Sequence, residues 1–128
     1  MAFSLEIRSQ VALRADYRCE YCKEPDIVCA FPYHIDHIIS VKHGGVDDLS
    51  NLAYSCPDCN IYKGSNIATL VADKLTRLYN PRRDVWNEHF VFEDFRISGV
   101  SDIGVGTISV LRFNLASRVL DRKLGQSI

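Results

Sequence analysis

The spacing of apolar residues along the chain predicts a mixture of helices and strands. Residues 4–16 place apolar side chains among charged ones at roughly helical intervals, and Ser4 is available as an N-cap, so we expect a short first helix there. Residues 31–40 combine β-branched and aromatic side chains, a composition typical of a strand. The pair Gly44-Gly45 then predicts a loop.

In the second half of the chain, the spacing of the apolar residues changes twice. From residue 60 to about residue 79 the apolar positions return at helical intervals until Pro81 ends the pattern, which predicts one long or broken helix over residues 60–79. In residues 89–99, on either side of residues 93–94, side chains of different character alternate with the period of 2 that is typical of strands. This alternation predicts a β-hairpin with its turn at that pair.

The end of the chain returns to a helical pattern. Ser101 is suited to start a helix, and two closing helices that part near Asn114 fit the apolar positions that follow. We find no internal repeat. The elements together predict one α+β domain over residues 1–128, with the hairpin and helices of about 80–128 as its C-terminal extension.

Composition limits the function classes. The chain has 128 residues, 47% of them hydrophobic and 24% charged, with a formal net charge of -1, which favours a globular domain over a disordered chain or a strongly basic nucleic-acid binder. No apolar run approaches a membrane span, and the first residues lack the order of a secretory signal. We therefore expect a soluble cytoplasmic protein, without membrane contact, whose cysteines stay reduced.

Two pairs of cysteines have the spacing of a zinc clamp. Cys19 and Cys22 form one C-x-x-C, Cys56 and Cys59 form a second, and 33 residues separate the pairs. Four thiolates complete the tetrahedral coordination of Zn(II) and leave no open position for water or substrate. We therefore predict a structural zinc ion, because a thioredoxin-like redox motif needs only one pair. Cys29 is expected to be a small buried thiol.

The segment between the cysteine pairs contains most of the other candidate ligands. Three of the four histidines of the chain lie in it. Asp36 and His37 are adjacent, so on a strand they face opposite ways, which suits two separate tasks: holding a cation and taking a proton from water. Asn60 follows Cys59 directly, so the zinc knuckle would fix its position.

These residues lie within a family motif. The segments HIDHIIS, HGGVDDLSNLAYSC and CPDCNIYKG are similar, in order and in spacing, to the motif of the HNH endonucleases of the four-cysteine subtype. The similarity covers residues 17–65, and the later stretch LYNPRRDVWNEHFVFED more weakly resembles the extension of small stand-alone bacterial HNH proteins. It implies a ββα-metal (His-Me finger) core with a structural zinc knuckle pair, flanking helices and a C-terminal hairpin plus helices.

The resemblance also implies roles for single residues. Asp36 and Asn60 would hold one divalent cation, Mg(II) or Mn(II), with Ni(II) as a further candidate, because an amide oxygen in place of the more usual histidine favours hard cations. His37 would be the general base that activates water. Asn51 would order the loop that orients His37, and Lys63 would meet a phosphate oxygen of the substrate.

Other polar residues leave alternatives open. His34 could be an added ligand, a phosphate contact or a packed core histidine, and His43 a solvated loop residue or a substrate contact. Arg82 and Arg83 could reach a DNA backbone or form a solvated charge pair. A local positive patch would combine these two arginines with Lys42, Lys63, Lys74 and Arg77.

Two functions follow from these features. The first is a metal-dependent HNH endonuclease that hydrolyses phosphodiester bonds, with DNA as the expected partner. The alternative is a catalytically silent, zinc-stapled module that binds nucleic acid or protein, and the nearly neutral charge favours it. The sequence leaves the oligomeric state and the base specificity open.

Overall fold

The computed structural model describes residues 3–125 and divides the chain into two compact units, Met1–Ser65 and Asn66–Ile128. Each unit is described by itself. The expectation of one domain over residues 1–128 stays a prediction, and the last three residues of the predicted C-terminal extension lie outside the described part of the chain.

The first unit begins with the expected helix. Helix α1 spans Leu5–Arg14, and the Ser4 side chain accepts a hydrogen bond from the backbone N–H of Ile7 at 3.2 Å, as an N-cap does. Val11 is fully buried on this helix. The prediction of a short first helix is confirmed.

Two strands and a helix follow. Strand β1 (His34–His37) is shorter than predicted and pairs antiparallel with β2 (Leu52–Ser55), so that Asp36 lies opposite Ala53. All four residues of β2 are buried, so this strand is the centre of the first unit. Helix α2 (Pro57–Lys63) begins immediately after it and packs against β1.

The long helix predicted for residues 60–79 is wrong. Helix α2 ends at Lys63 and is capped by Gly64, which has a φ of 53°. The chain continues as an antiparallel hairpin of β3 (Ala68–Val71) and β4 (Lys74–Arg77). Ala72 and Asp73 both adopt positive φ, as the two central residues of a type I′ turn do. The apolar spacing matched a helix by coincidence, while the β-branched residues on both strands favour a sheet.

The second unit contains the predicted hairpin and closing helices. Strand β5 (Phe90–Glu93) pairs with β6 (Arg96–Gly99), and the turn lies at residues 94–95, one position later than predicted. Helices α3 (Asp102–Leu111) and α4 (Ala116–Gly125) follow, as expected.

Close packing joins these elements. The N-cap of α3 is Ser101, whose hydroxyl accepts from the N–H of Gly104 at 3.0 Å. A Cβ at Gly104 would overlap the carbonyl oxygen of His89, so only glycine lets α3 approach this closely. Between the two helices, Asn114 exchanges two hydrogen bonds with the backbone of Ile97.

An aromatic cluster forms the core of the second unit. Its rings lie 5.0–5.6 Å apart between centroids, in tilted or edge-on arrangements. Trp86 is buried, and Nδ1 of the half-buried His89 lies 2.7 Å from the Ser101 hydroxyl, so both side chains pack within this unit. The rings of this cluster belong to Tyr79, Trp86, Phe90, Phe92 and Phe113.

No single helix in residues 3–125 is long and apolar enough to cross a membrane; α3 and α4 meet that test only when taken together across a bend of 98°.

Candidate active site and metal centre

The four cysteines of the two C-x-x-C pairs converge on one point. Cys19, Cys22, Cys56 and Cys59 are all buried, and their sulfur atoms all lie within 4.8 Å of one another. Sγ of Cys22 is 3.7 Å from Sγ of Cys56. Sulfurs at Zn–S bond lengths in a tetrahedron lie about 3.8 Å apart, so this arrangement supports binding of a structural zinc ion.

Backbone amides point at two of these sulfurs. The N–H of Cys22 points to Sγ of Cys19 at 3.5 Å, and the N–H of Cys59 points to Sγ of Cys56 at 3.3 Å. Burial raises the pKa of the Cys59 thiol well above its ordinary value, so ionisation of this thiol needs a nearby positive charge. Cys29 is half-buried rather than fully buried as expected, and it is not part of the cluster.

The residues inside the first C-x-x-C attach this knuckle to both strands. The backbone N–H of Glu20 donates to the Tyr54 carbonyl at 2.9 Å, and the Glu20 carboxylate accepts from the Tyr54 N–H at 2.8 Å. The Tyr21 hydroxyl donates to Oδ2 of Asp36 at 2.6 Å. The cysteine cluster and the predicted cation ligand are therefore linked through one side chain.

Asp36 is buried between two donors. Its side chain is only 6% exposed, and Nζ of Lys63 lies 3.1 Å from Oδ2 and 3.3 Å from Oδ1. Burial raises the pKa of this carboxyl, while the positive charge of Lys63 and the hydrogen bond from Tyr21 act in the opposite direction. A second positive charge at Asp36 would stabilise the ionised form further.

Lys63 lies deeper than the sequence analysis expected. It is 1% exposed, and Nζ donates to the His37 carbonyl at 3.0 Å besides its contact with Asp36. A long cationic side chain is rarely buried unless it is paired, and this pairing explains its position. A phosphate contact by Lys63 stays a prediction, and it requires Nζ to leave both partners.

His37 is placed at the edge of the same unit. Its side chain is 22% exposed, and Nε2 lies 2.5 Å from Oδ1 of Asp47, whose side chain is 43% exposed. The ring of Phe3 packs at a centroid distance of 5.6 Å from the imidazole. The imidazole is therefore oriented by two contacts and remains accessible to water.

Asn51 holds the loop between the strands. Its side chain is buried and makes three hydrogen bonds of 2.9 Å, one from the N–H of Ile39 and one each to the carbonyls of Ile39 and Val46. These bonds join the end of β1 to the start of β2 across the loop that follows His37. This geometry is what loop ordering by Asn51 requires.

Asn60 lies on α2, one residue after Cys59, and is half-buried. Its backbone N–H donates to the Cys56 carbonyl at 3.0 Å, so the second cysteine knuckle and this residue share one helical turn. The structure therefore brings Asp36, His37 and Asn60 into one ββα unit.

The remaining predicted contacts have different surroundings. His34 and His43 are both exposed, so the alternative that His34 packs in the core is wrong. Arg82 is half-buried and Arg83 is exposed on the second unit.

Several cations of the predicted positive patch are paired with carboxylates, which reduces the net positive charge of that patch. In the second unit, Arg77 makes two bonds of 2.8 Å to Asp84, and Lys74 lies 3.3 Å from Asp102. Lys63 is paired with the buried Asp36 in the first unit. Carboxylates therefore neutralise three of the four cations that the predicted patch added to Arg82 and Arg83.

Sequence reasoning missed two residues of the site. Tyr21 stands between two cysteines, and Asp47 lies just after the Gly44-Gly45 pair, in a loop with two adjacent aspartates. An acidic residue in the loop that follows a candidate base is a signal that could have identified Asp47. Nothing in the sequence marks Tyr21 as the partner of Asp36.

The comparisons with known proteins agree with this geometry. Residues 19–66 match the family model described as HNH endonuclease. The matched segment starts at Cys19 and ends just after α2. No curated protein and no solved structure matches the chain. Residues 19–66 are therefore similar to the HNH endonuclease family, and the four cysteines of this segment are positioned to bind a metal ion.

Proposed function

We propose that the protein is a metal-dependent endonuclease that hydrolyses phosphodiester bonds in nucleic acid, with DNA as the substrate. The observation that carries the proposal is the placement of His37 within the matched segment, because the residue predicted to be the base is partly exposed and oriented while Asp36 beside it is buried. HNH domains typically act on nucleic acid, and the four-cysteine cluster supports the structural metal of this subtype.

Asp36 and Asn60 fit a hard divalent cation. Their donor atoms are a carboxylate oxygen and an amide oxygen, the ligands that Mg(II) and Mn(II) prefer. Among the described residues, Oδ1 of Asp36 accepts one hydrogen bond, from Lys63, which leaves it a further lone pair. When bound, such a cation would stabilise negative charge on the phosphate and on the departing oxygen.

His37 would take the proton of the attacking water. Its partial exposure admits water, and Asn51 holds the loop on which the orientation of the imidazole depends. The exposed His34, at the start of β1, is available as a phosphate contact or an added ligand. Arg82 and Arg83 stay proposed contacts to the nucleic-acid backbone.

A plasmid-nicking assay tests this proposal. Purified protein is incubated with supercoiled DNA and Mg(II), Mn(II) or Ni(II), and we expect nicked product from the wild type and a loss of about 10²–10⁴-fold for His37→Ala. His43→Ala is the matched control, because His43 is an exposed histidine in the segment that follows β1. The proposal fails if the wild type and His37→Ala leave DNA and RNA equally intact with every metal.

A second candidate function is a catalytically silent binding module. The observation that favours it is the ammonium group of Lys63, which already neutralises the buried Asp36. Such a module would bind nucleic acid with the same affinity in the wild type and in His37→Ala, and neither form would cleave it. Measuring binding and cleavage on the same samples separates the two functions.

We also propose the cytoplasm as the compartment of the protein. Four cysteines that bind zinc must remain thiolates, which a reducing compartment allows.

A further inference from the structure

We infer that Asp47 is a positioning residue for the general base, and that it fixes His37 in the tautomer whose Nδ1 accepts the proton. The inference rests on the proposed function of His37. An ionised carboxylate only accepts hydrogen bonds, so the 2.5 Å contact from Nε2 to Oδ1 places the ring proton on Nε2. The lone pair of a neutral imidazole then lies on Nδ1, for which the described residues provide no hydrogen-bond partner.

The backbone on both sides of Asp47 is fixed. The carbonyl of Val46 accepts a hydrogen bond from the Asn51 side chain at 2.9 Å, and the carbonyl of Asp48 accepts from the Asn51 N–H at 2.7 Å. The side chain of Asp48 also caps the short 3-10 helix Leu49–Asn51 through the N–H of Ser50. Asp47 therefore reaches His37 from an anchored position rather than from a free loop.

The start of the loop is fixed as well. The N–H of Gly45 donates to the Ser40 carbonyl at 3.0 Å, and a Cβ at Gly45 would overlap the carbonyl oxygen of Ile39. Only glycine lets the chain return this closely to the end of β1. The close return brings Asp47, two residues later, back to His37.

The contact between His37 and Asp47 is not explained by its contribution to the stability of the fold. The two side chains are 22% and 43% exposed, and a contact between partly exposed side chains adds little to the stability of the fold. What the contact fixes strongly is geometry, because Phe3 packs on the imidazole while Asp47 binds its Nε2. Removing Asp47 should therefore change the orientation and tautomer of His37 and leave the fold intact.

Kinetic constants measured on a short DNA duplex test the role. Asp47→Ala is expected to lower kcat about 10- to 100-fold, a part of the effect of a general base, with KM nearly unchanged. Asp47→Glu should restore part of kcat, because it keeps a carboxylate. Asp48→Asn is the matched control, since it removes the same charge from the next residue and keeps a side chain that can cap.

A double variant separates action through His37 from any other role. In the His37→Ala background, Asp47→Ala should have no further effect on kcat. If Asp47→Ala lowers the residual rate of His37→Ala by the same factor as in the wild type, the inference is overturned while the proposed function stands.

A second measurement does not depend on activity. Nitrogen NMR of the imidazole, recorded at a pH where the ring is neutral, reports which nitrogen carries the proton. We expect the Nε2–H tautomer at His37 in the wild type and a mixture in Asp47→Ala. A wild-type ring protonated on Nδ1 overturns the inference, even in a protein that cleaves DNA. A protein that shows the Nε2–H tautomer and cleaves nothing refutes the proposed function alone.

Discussion

The hydroxyl of Tyr21 donates a 2.6 Å hydrogen bond to the carboxylate of Asp36, and both side chains are buried. Tyr21 stands inside the first C-x-x-C, so this bond connects the loop that supports zinc binding to the strand that carries the proposed cation ligand. Burial and the charge of Asp36 raise the pKa of Tyr21 well above its ordinary value, so the hydroxyl stays protonated and donates. One hydrogen bond therefore links the loop of the cysteine cluster to the proposed cation ligand.

Tyr21→Phe should weaken the binding of the catalytic cation. The change removes one donor to a buried carboxylate, and hydrogen bonds to charged groups contribute about 1.5–3 kcal/mol. We expect a loss of stability of that size and a weaker affinity for Mn(II), because Asp36 loses a contact that orients it. Denaturant unfolding and calorimetric titration with Mn(II) measure the two effects.

Tyr54→Phe is the matched control for that variant. The Tyr54 hydroxyl also donates a 2.6 Å bond to a carboxylate, that of Asp26, but this pair does not involve Asp36. Its removal should leave Mn(II) affinity unchanged. Equal losses of Mn(II) affinity in the two variants would contradict a specific role for Tyr21.

Removal of zinc should unfold the first unit. The four cysteines are buried within a small unit, and metal binding at such sites contributes directly to folding. We expect one zinc per chain in the wild type and less than half of that in Cys19→Ser or Cys56→Ser, with loss of protection from proteolysis in Met1–Ser65. Cys29→Ser should retain its zinc, since Cys29 lies outside the cluster. Zinc loss in Cys29→Ser of the same extent would overturn the assignment of four ligands.

The sequence predicted the elements that local rules determine. Ser4 and Ser101 cap helices as expected, because an N-cap depends on the residue itself and on the N–H groups just after it. The hairpin of residues 68–77 was missed, because its turn at Ala72 and Asp73 lacks the usual Asn-Gly or Asp-Gly. Apolar spacing alone could not distinguish this hairpin from a helix.

Only those site residues that belong to the family motif could be predicted from the sequence. Asp36, His37 and Asn60 lie in one unit, as the resemblance to HNH nucleases implied. The burial of Lys63 was not predictable, because a lysine on a short helix is expected to be exposed to solvent. Its partner, Asp36, is distant in the sequence. The contact between His37 and Asp47 likewise depends on the path of the loop.

Lys63→Met should destabilise the protein far more than loss of a surface phosphate contact would. It leaves the Asp36 carboxylate buried without its cation, and breaking a buried pair costs about 3–5 kcal/mol. Added Mn(II) should recover part of this loss if the cation binds Asp36. Denaturant unfolding with and without Mn(II) measures it, and the exposed Lys42, changed to Met, is the control. An unchanged stability with weaker DNA binding would instead support the phosphate contact.

The stability of the second unit should depend on pH through Asp84. The hydrogen bonds from Arg77 hold the pKa of Asp84 below its ordinary value, and the N–H of Asn80 assists them. A carboxyl whose pKa is lowered by folding stabilises the fold above its unfolded pKa of about 3.9, and the contribution is lost as the pH falls through the lower folded value. Asp84→Asn should therefore be less stable than the wild type at pH 7, by about 1 kcal/mol.

The difference between wild type and Asp84→Asn should shrink as the pH falls below about 4. Trp86 is the only tryptophan and is buried in the second unit, so its fluorescence reports unfolding there even when acid releases zinc from the cysteines of the first unit. Asp121→Asn, an exposed change on α4, is the control and should show no such trend. A difference for Asp84→Asn that stays constant down to pH 2 would mean that Arg77 contributes through packing and not through the charge of Asp84.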